Sequence, residues 1–316
     1  MSSDRPERGR QHHGGGPHER GTRRRPGDRG LRLPANLLFT VAYEMLGSAV
    51  DAEDVLQETW LRWVEVDLDT VRDRRAYLVR ITTRQALNRL RTMSRRKESY
   101  VGPWLPEPLL TTPDVAQDAE LAESVSMAVM LVLETLAPTE RAVFVLREVF
   151  DVGYDEIAAA VDRTPAAARQ IAHRARRHVD ARRPRTVVPQ QQARAVVESF
   201  VRALKGGGLQ ELLDVLAPDV VYLGDGGGVK RAAPRPIVGA GKVARLLAGG
   251  MGRNMTRLTF GPTTVNGGPA LALRLDGELD SIVAVHVEGV RITGLYAVRN
   301  PEKLSRIESA TPLTLR

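Results

Sequence analysis

Residues 154–179 read YDEIAAAVDRTPAAARQIAHRARRHV, and the middle of this stretch decides the fold. Residues 139–149 form a helix that Gly153 breaks, and residues 154–161 form a second, short one. Asp162 to Thr164 make a tight turn. Pro165 opens the next helix at its first position, where a missing N–H costs nothing. That helix runs over 165–179, with Ile171, Ala175 and Val179 facing inward at a spacing of four. Arg169, Gln170, His173, Arg174, Arg176 and Arg177 face outward. A short helix, a three-residue turn and a basic helix form a helix-turn-helix, whose second helix enters a DNA groove. Arg169, Gln170 and His173 lie early in it and are base-edge candidates. Arg174, Arg176 and Arg177 suit phosphates, which set register.

Working outward, the charge is segregated. Residues 162–185 carry eight Arg against two Asp, and residues 72–97 carry ten basic residues against Asp73. Residues 51–69 carry seven acids and only Arg62, whereas residues 1–30 carry eight Arg and four acids. Two basic blocks on helices point to a polyanion partner rather than to solvated faces.

The helix expected over roughly 74–97 has Val79, Thr83, Ala86 and Leu90 as its apolar stripe. Arg80, Arg84, Asn88, Arg91 and Arg95 form a polar stripe ~20 Å long, enough to follow several phosphates of one strand. Before it, a short apolar helix over 35–46 ends at Gly47. A further helix is capped by Asp51, with Asp54 at its N3 position. Ala52, Val55, Leu56, Thr59 and Trp63 face the core, and Asp54, Gln57, Glu58, Leu61 and Glu65 face away. A leucine on an acidic exposed face fits a protein contact better than bare solvent.

The chain has 316 residues, 42% of them hydrophobic, a net charge of +8 and no cysteine. That suggests two or three domains and excludes disulfides and thiolate metal sites. No apolar run is long enough to span a bilayer and no signal-peptide core is present, so a cytoplasmic protein without membrane contact is expected. His12, His13 and His18 lie in a Gly/Pro/Arg-rich tail that reads as disordered rather than metal-binding.

A helix is expected from about 114. After the stretch RRPRTVVPQQQ the pattern changes: helices over 190–204 and 209–216 precede runs of period two (DVVYL, RLTF, ALALRL, SIVAVHV, VRITGLYAV), an antiparallel sheet with two or three helices. A long loop, GDGGGVKRAAPRP (224–236), interrupts it. Tyr222, Asp225, Lys230 and His286 are the polar candidates of this domain, Tyr222 and His286 on its strands. Without a nucleophile–base motif or metal cluster, no catalytic activity and no cofactor are expected. A small-ligand role for this domain stays open.

VGPWLPEPL (101–109) joins the two basic helical parts. Its three prolines hold an extended path. The expectation is that Trp104, Leu105 and Pro106 dock near Asp225 and Lys230 and so set how the two basic helices are spaced; the alternative is a plain stiff spacer.

MLGSAVDAEDVLQETWLRW, RAYLVRITTRQALNRLR and the helix-turn-helix, in this order, resemble regions 2 and 4 of extracytoplasmic-function sigma factors. WLPEPL, DGGG with Lys230, and NPEKL resemble the group-41, sigma-J-like subgroup, which has a fused C-terminal domain similar to SnoaL and NTF2-like folds. The resemblance implies a multidomain chain: two all-α domains and a C-terminal α+β, cone-shaped NTF2-like domain. The corresponding division is a disordered basic tail (1–33), region 2 (34–98), a Pro-rich linker (99–113), region 4 (114–183) and a regulatory SnoaL/NTF2-like domain (184–316). It also implies core RNA polymerase as the partner of Asp54, Gln57, Glu58 and Leu61. The 74–97 helix would read a melted −10 promoter element and the 165–179 helix the −35 element, so promoter DNA is the second partner. Glu44 stands before MLGS where the family pattern has an arginine. A reading outside this family is an ordinary helix-turn-helix regulator with a ligand-binding C-terminal domain; it would need neither the Leu61 face nor the Arg80–Arg95 stripe.

Overall fold

The computed structural model describes residues 32–111, 115, 118–182, 188–252, 257–307, 310–311 and 313–314. The tail and its histidines lie outside the described residues, except that Arg32 and Leu33 already belong to the first helix. Helices α1 (Arg32–Leu46), α2 (Ala49–Val64) and α3 (Arg74–Glu98) form the first bundle. Ser48, not Asp51, caps α2: its hydroxyl accepts the Asp51 amide at 3.2 Å. The earlier start places Asp51 at N3, where the amide it offers satisfies the cap. Ala52, Val55, Thr59 and Trp63 are buried as their spacing requires, and Trp63 meets the Tyr77 ring at 5.9 Å.

Next come α4 (Ala119–Ser124), α5 (Met127–Leu133), α6 (Pro138–Phe144), a π-helical turn (Val145–Val149), α7 (Tyr154–Val161) and α8 (Pro165–Asp180). The single helix expected from about 114 is two short ones, because Ser126 caps a new helix through the Val129 amide at 3.3 Å. The helix-turn-helix follows its sequence pattern. Asp162 takes the left-handed conformation at φ 57° and Thr164 caps α8 at the Ala167 amide. Ala168, Ala172, Ala175 and Val179 form the buried face of α8, with Ile171 only half-buried. One apolar cluster runs without interruption from Leu37 in α1 to Val179 in α8, so the two helical parts share a core.

The rest of the chain is α+β: α9 (Gln190–Gly206), α10 (Leu209–Val215), β1 (Leu216–Asp225), β2 (Ile237–Val238), α11 (Ala240–Gly252), β3 (Leu258–Val265), β4 (Gly268–Leu275), β5 (Glu278–Glu288), β6 (Arg291–Val298) and α12 (Pro301–Leu304). The sheet order is β2-β1-β6-β5-β4-β3. It is mixed rather than antiparallel, since β1 runs parallel to β6. Local hairpin signals cannot reveal that pair: β6 returns beside β1 only after the α11–β5 crossover. One sheet face packs Leu271, Val285, Ile292 and Leu295 against α9, α10 and α11. The other carries Ala270, Ile282, Ala284 and Val298 and is covered by Leu105, Met127, Leu304 and Ile307.

Candidate nucleic-acid interface and its connector

The six outward residues of α8 (Arg169, Gln170, His173, Arg174, Arg176 and Arg177) are all exposed. Three are held in place. Arg169 lies 5.1 Å above the Tyr154 ring, Arg174 Nε donates to Glu140 Oε1 at 2.7 Å, and Arg176 Nε donates to Glu148 Oε2 at 2.8 Å. Glu148 raises the affinity of the Arg176 guanidinium for its proton. The result is a cationic face with fixed guanidinium planes, suited to phosphates and base edges.

The stripe on α3 is less free. Arg80 is half-buried over the Tyr77 ring at 4.9 Å. Arg84 Nη2 donates to the Ala159 carbonyl of α7 at 2.8 Å, and Arg91 Nη1 donates to Asn88 Oδ1 at 3.2 Å. Arg95 is exposed. In this arrangement α3 leans on the helix-turn-helix. A second clamp joins them: Glu134, at the end of α5, pairs with Lys97 of α3 and accepts from Arg141 of α6 at 2.8 Å. Burial raises the Glu134 proton affinity, but Arg141 and Lys97 outweigh it and leave the carboxyl below its ordinary range.

On α2, Gln57, Glu58 and Leu61 are exposed, Leu61 at 63%. Asp54 is committed elsewhere: Arg89 donates to it at 2.5 Å and to Asp51 at 2.6 Å. Trp60 and Val64, which the sequence reading passed over, are 45% and 60% exposed and widen the apolar spot around Leu61. Val64 lies three residues after Leu61 and four after Trp60, and that helical spacing was the available signal.

The connector is held at both ends. Asp225 is fully buried at the end of β1, not solvated in the glycine loop as a loop carboxylate would be. Its Oδ2 accepts from the Leu105 amide at 3.0 Å and from Lys303 Nζ at 2.7 Å, and its Oδ1 accepts from Tyr100 Oη at 2.5 Å. Lys303 Nζ also donates to the Leu105 carbonyl at 2.6 Å and sits 3.4 Å from the Trp104 ring centre. Burial lowers the Lys303 proton affinity, and Asp225 opposes it. The glycine loop makes this possible: a Cβ on Gly226 would fall 1.9 Å from the Lys230 carbonyl oxygen. Lys230 itself does not reach the connector, because it pairs with Asp280 at 3.2 Å. Tyr222 packs against the helix-covered core, and burial raises its pKa.

Pro106 is buried 3.7 Å from where a Cβ on Gly47 would stand. Glu107, unassigned from sequence, is 3% exposed and caps the start of α2: its Oε2 accepts from the Ala49 amide at 2.7 Å, where the helix dipole favours a carboxylate. Asn266, in the β3–β4 turn, was also missed. It is 1% exposed; its Nδ2 donates to Tyr43 Oη at 2.6 Å and to the Val125 carbonyl at 2.9 Å, and its Oδ1 accepts from the Leu109 amide at 3.0 Å. One side chain thus joins α1, α4, the connector and the sheet. An Asn-Gly pair predicts a turn, and only the fold shows what the asparagine meets.

Family models match two parts of the chain: sigma-70 region 2 over residues 34–96, and sigma-70, region 4, over residues 126–179. The chain is 35% identical over 290 residues to the ECF RNA polymerase sigma factor SigJ of Mycobacterium tuberculosis, covering 85% of this chain and 90% of that protein. The chain belongs to the extracytoplasmic-function sigma factors. It is also 30% identical over 275 residues to the probable ECF sigma factor SigI of M. tuberculosis, covering 86% of this chain and 92% of that protein. The crystal structure of M. tuberculosis SigJ superimposes with a TM-score of 0.73 at 32% identity, covering 89% of this chain and 99% of that one. The sigma factor therefore directs transcription initiation. Among its described residues, no helix is long and apolar enough to cross a membrane.

Proposed function

We propose that this sigma factor binds core RNA polymerase through Gln57, Glu58 and Leu61, with Trp60 and Val64 extending the patch, and carries polymerase to promoter DNA. Asp54 contributes by fixing Arg89 rather than by direct contact. Residues 34–98 act as region 2, with Arg80, Arg84, Asn88, Arg91 and Arg95 on the −10 element. Residues 114–183 act as region 4, with Arg169, Gln170 and His173 on −35 base edges and Arg174, Arg176 and Arg177 on phosphates. The chain itself makes or breaks no covalent bond.

Residues 184–316 act as the built-in regulator and residues 99–113 as its lever. The observation that carries this reading is the buried Asp225–Lys303 pair closing on the Leu105 backbone. A regulator that grips the backbone between two DNA-reading parts controls their spacing. Trp104 meets Tyr100 edge to face with ring centres 4.6 Å apart, and the Tyr100 hydroxyl reaches Asp225, so Trp104 belongs to the same grip.

Run-off transcription with purified bacterial core polymerase tests the reading, using the full chain beside one ending at residue 186. Promoter-specific transcripts from either form support it, and the difference between the two gives the sign of control. If neither form binds core polymerase while the full chain binds duplex DNA alone, the ordinary helix-turn-helix regulator replaces it.

A further inference from the structure

A cleft of about 390 Å³ lies between the region 4 helices and the C-terminal domain. Met127 and Val129 of α5 form one side, Val188 and Pro189 ahead of α9 a second, and Val265 and Pro269 around the β3–β4 turn a third. These walls are mainly apolar. His286 of β5 and Tyr296 of β6 supply polar groups.

The placement of these two groups is built into the sheet. His286 pairs across the strands with Gly294, and Ala284 pairs with Tyr296, so His286 and Tyr296 share one sheet face. A Cβ on Gly294 would come 2.5 Å from Tyr296 Oη. The bare glycine therefore lets the tyrosine ring lie back along the sheet, and its hydroxyl ends over the residue that faces His286. Burial lowers the His286 pKa against the pull of Glu288 and pushes Tyr296 up to about 12. Both side chains meet a ligand as neutral hydrogen-bonding groups at pH 7. Among the described residues that line the cleft, Glu123 is the one acid and none is Lys or Arg, so an anion would give up its hydration against the apolar walls without a matching charge. The volume is that of a small-molecule pocket.

We propose that this cleft binds a small uncharged ring compound bearing a hydroxyl or carbonyl oxygen. His286 and Tyr296 hydrogen-bond that oxygen, and the ring bridges α5 to β5. Because region 4 and the C-terminal domain each own part of the wall, an occupant ties the two together and favours the docked arrangement described above. The cleft touches the edge of the helix-covered core through Ala193, Val285 and Val287, whereas Phe200 and Leu212 fill the interior of that core. Binding itself does not depend on the polymerase reading; only its effect on transcription does.

The full chain is titrated with 2-naphthol and with 2-tetralone by calorimetry, and hydrogen exchange is followed with and without each. Saturable one-site binding of at least one probe is expected, with added protection in Met127–Leu133 and Glu278–Glu288. Tyr296→Phe keeps the ring and should weaken binding about tenfold by removing one hydrogen bond. Met127→Trp should fill the cleft and abolish binding, with an unchanged circular dichroism spectrum. The proposal is overturned if neither probe saturates, if Tyr296→Phe binds as tightly as the parent, or if the added protection is confined to α9–α11.

Discussion

The two faces of the C-terminal sheet are covered by different kinds of chain. One face is closed by α9, α10 and α11, which belong to the same domain: Phe200, Leu204 and Leu212 pack on Leu271, Val285 and Leu295. The other face is closed largely from outside. Leu105 arrives from the connector and Met127 from region 4, with Leu304 and Ile307 from the segment after β6. The polar fasteners Asp225–Lys303 and Asn266 lie on this borrowed side. The first face holds the domain together, whereas the second holds a state of the whole protein together. Separating the connector and region 4 uncovers Ile282, Ala284 and Val298 while leaving the first face intact.

The sharpest way to break this contrast is Asp225→Ala. It leaves Lys303 buried without its carboxylate and the Leu105 amide without an acceptor. Removing one partner of a buried pair costs roughly 3–5 kcal/mol. Limited proteolysis should show cleavage in 99–113 at protease levels that spare the parent. Unchanged cleavage would mean that the grip on Leu105 is not what closes the seam. A cavity on each face sharpens the comparison. Leu105→Ala and Phe200→Ala each remove a side chain that is 1% exposed or less, at about 3 kcal/mol or more. Leu105→Ala should loosen the connector while hydrogen exchange in β4–β6 stays slow. Phe200→Ala should speed exchange through the whole sheet. Equal effects of the two on the sheet would show that the faces are not separable.

What the sequence made legible follows the range of its signals. The helix-turn-helix was readable because Gly153, Asp162, Thr164 and Pro165 act on their own neighbours. The outward set of α8 was readable because helical period alone assigns it. The parallel β1–β6 pair, Glu107 at the start of α2 and Asn266 in its hub were not, because each depends on partners far along the chain: Asn266 Nδ2 meets Tyr43 223 residues away. Lys230 was placed at the connector by its nearness in sequence to Asp225, yet it serves Asp280, and Lys303 fills the role. Helix α11 was passed over because four glycines in AGKVARLLAGGMG blur its apolar spacing.

The seam between regions 2 and 4 offers a smaller, pH-driven test. Glu44 of α1 is fully buried, and Ser124 Oγ of α4 donates to its Oε1 at 2.9 Å. Arg141 faces it from α6, donating to the Glu44 carbonyl at 2.9 Å. Burial raises the Glu44 pKa to about 8, against the opposing pull of Ser124 and Arg141. The folded chain thus holds a proton that the unfolded chain releases near pH 4.5. Its contribution is full below that pH, declines by about 1.4 kcal/mol per pH unit up to about pH 8, and is flat above. Glu44→Gln keeps an acceptor for Ser124 and removes the titration. Urea unfolding between pH 5 and pH 9 should then show a flatter profile for the variant; parallel profiles would place the titration elsewhere.

The smallest effect separates the two basic helices. Arg84 is exposed and gives one hydrogen bond to the Ala159 carbonyl, whereas Arg95 is exposed on the same stripe. A hydrogen bond at that exposure contributes about 0.5–1 kcal/mol. Arg84→Ala should therefore open the α3–α7 contact only a few-fold, and Arg95→Ala should not open it at all. Bound to a melted promoter strand, each loss should reduce the salt dependence by about 0.7 in log–log slope, one phosphate contact apiece. The two variants should thus look alike on DNA and differ in the free protein, where hydrogen exchange in α7 rises for Arg84→Ala alone. If α7 exchange is the same in both, Arg84 does not hold region 2 against the helix-turn-helix. Helix α3 would then be as free in this arrangement as α8.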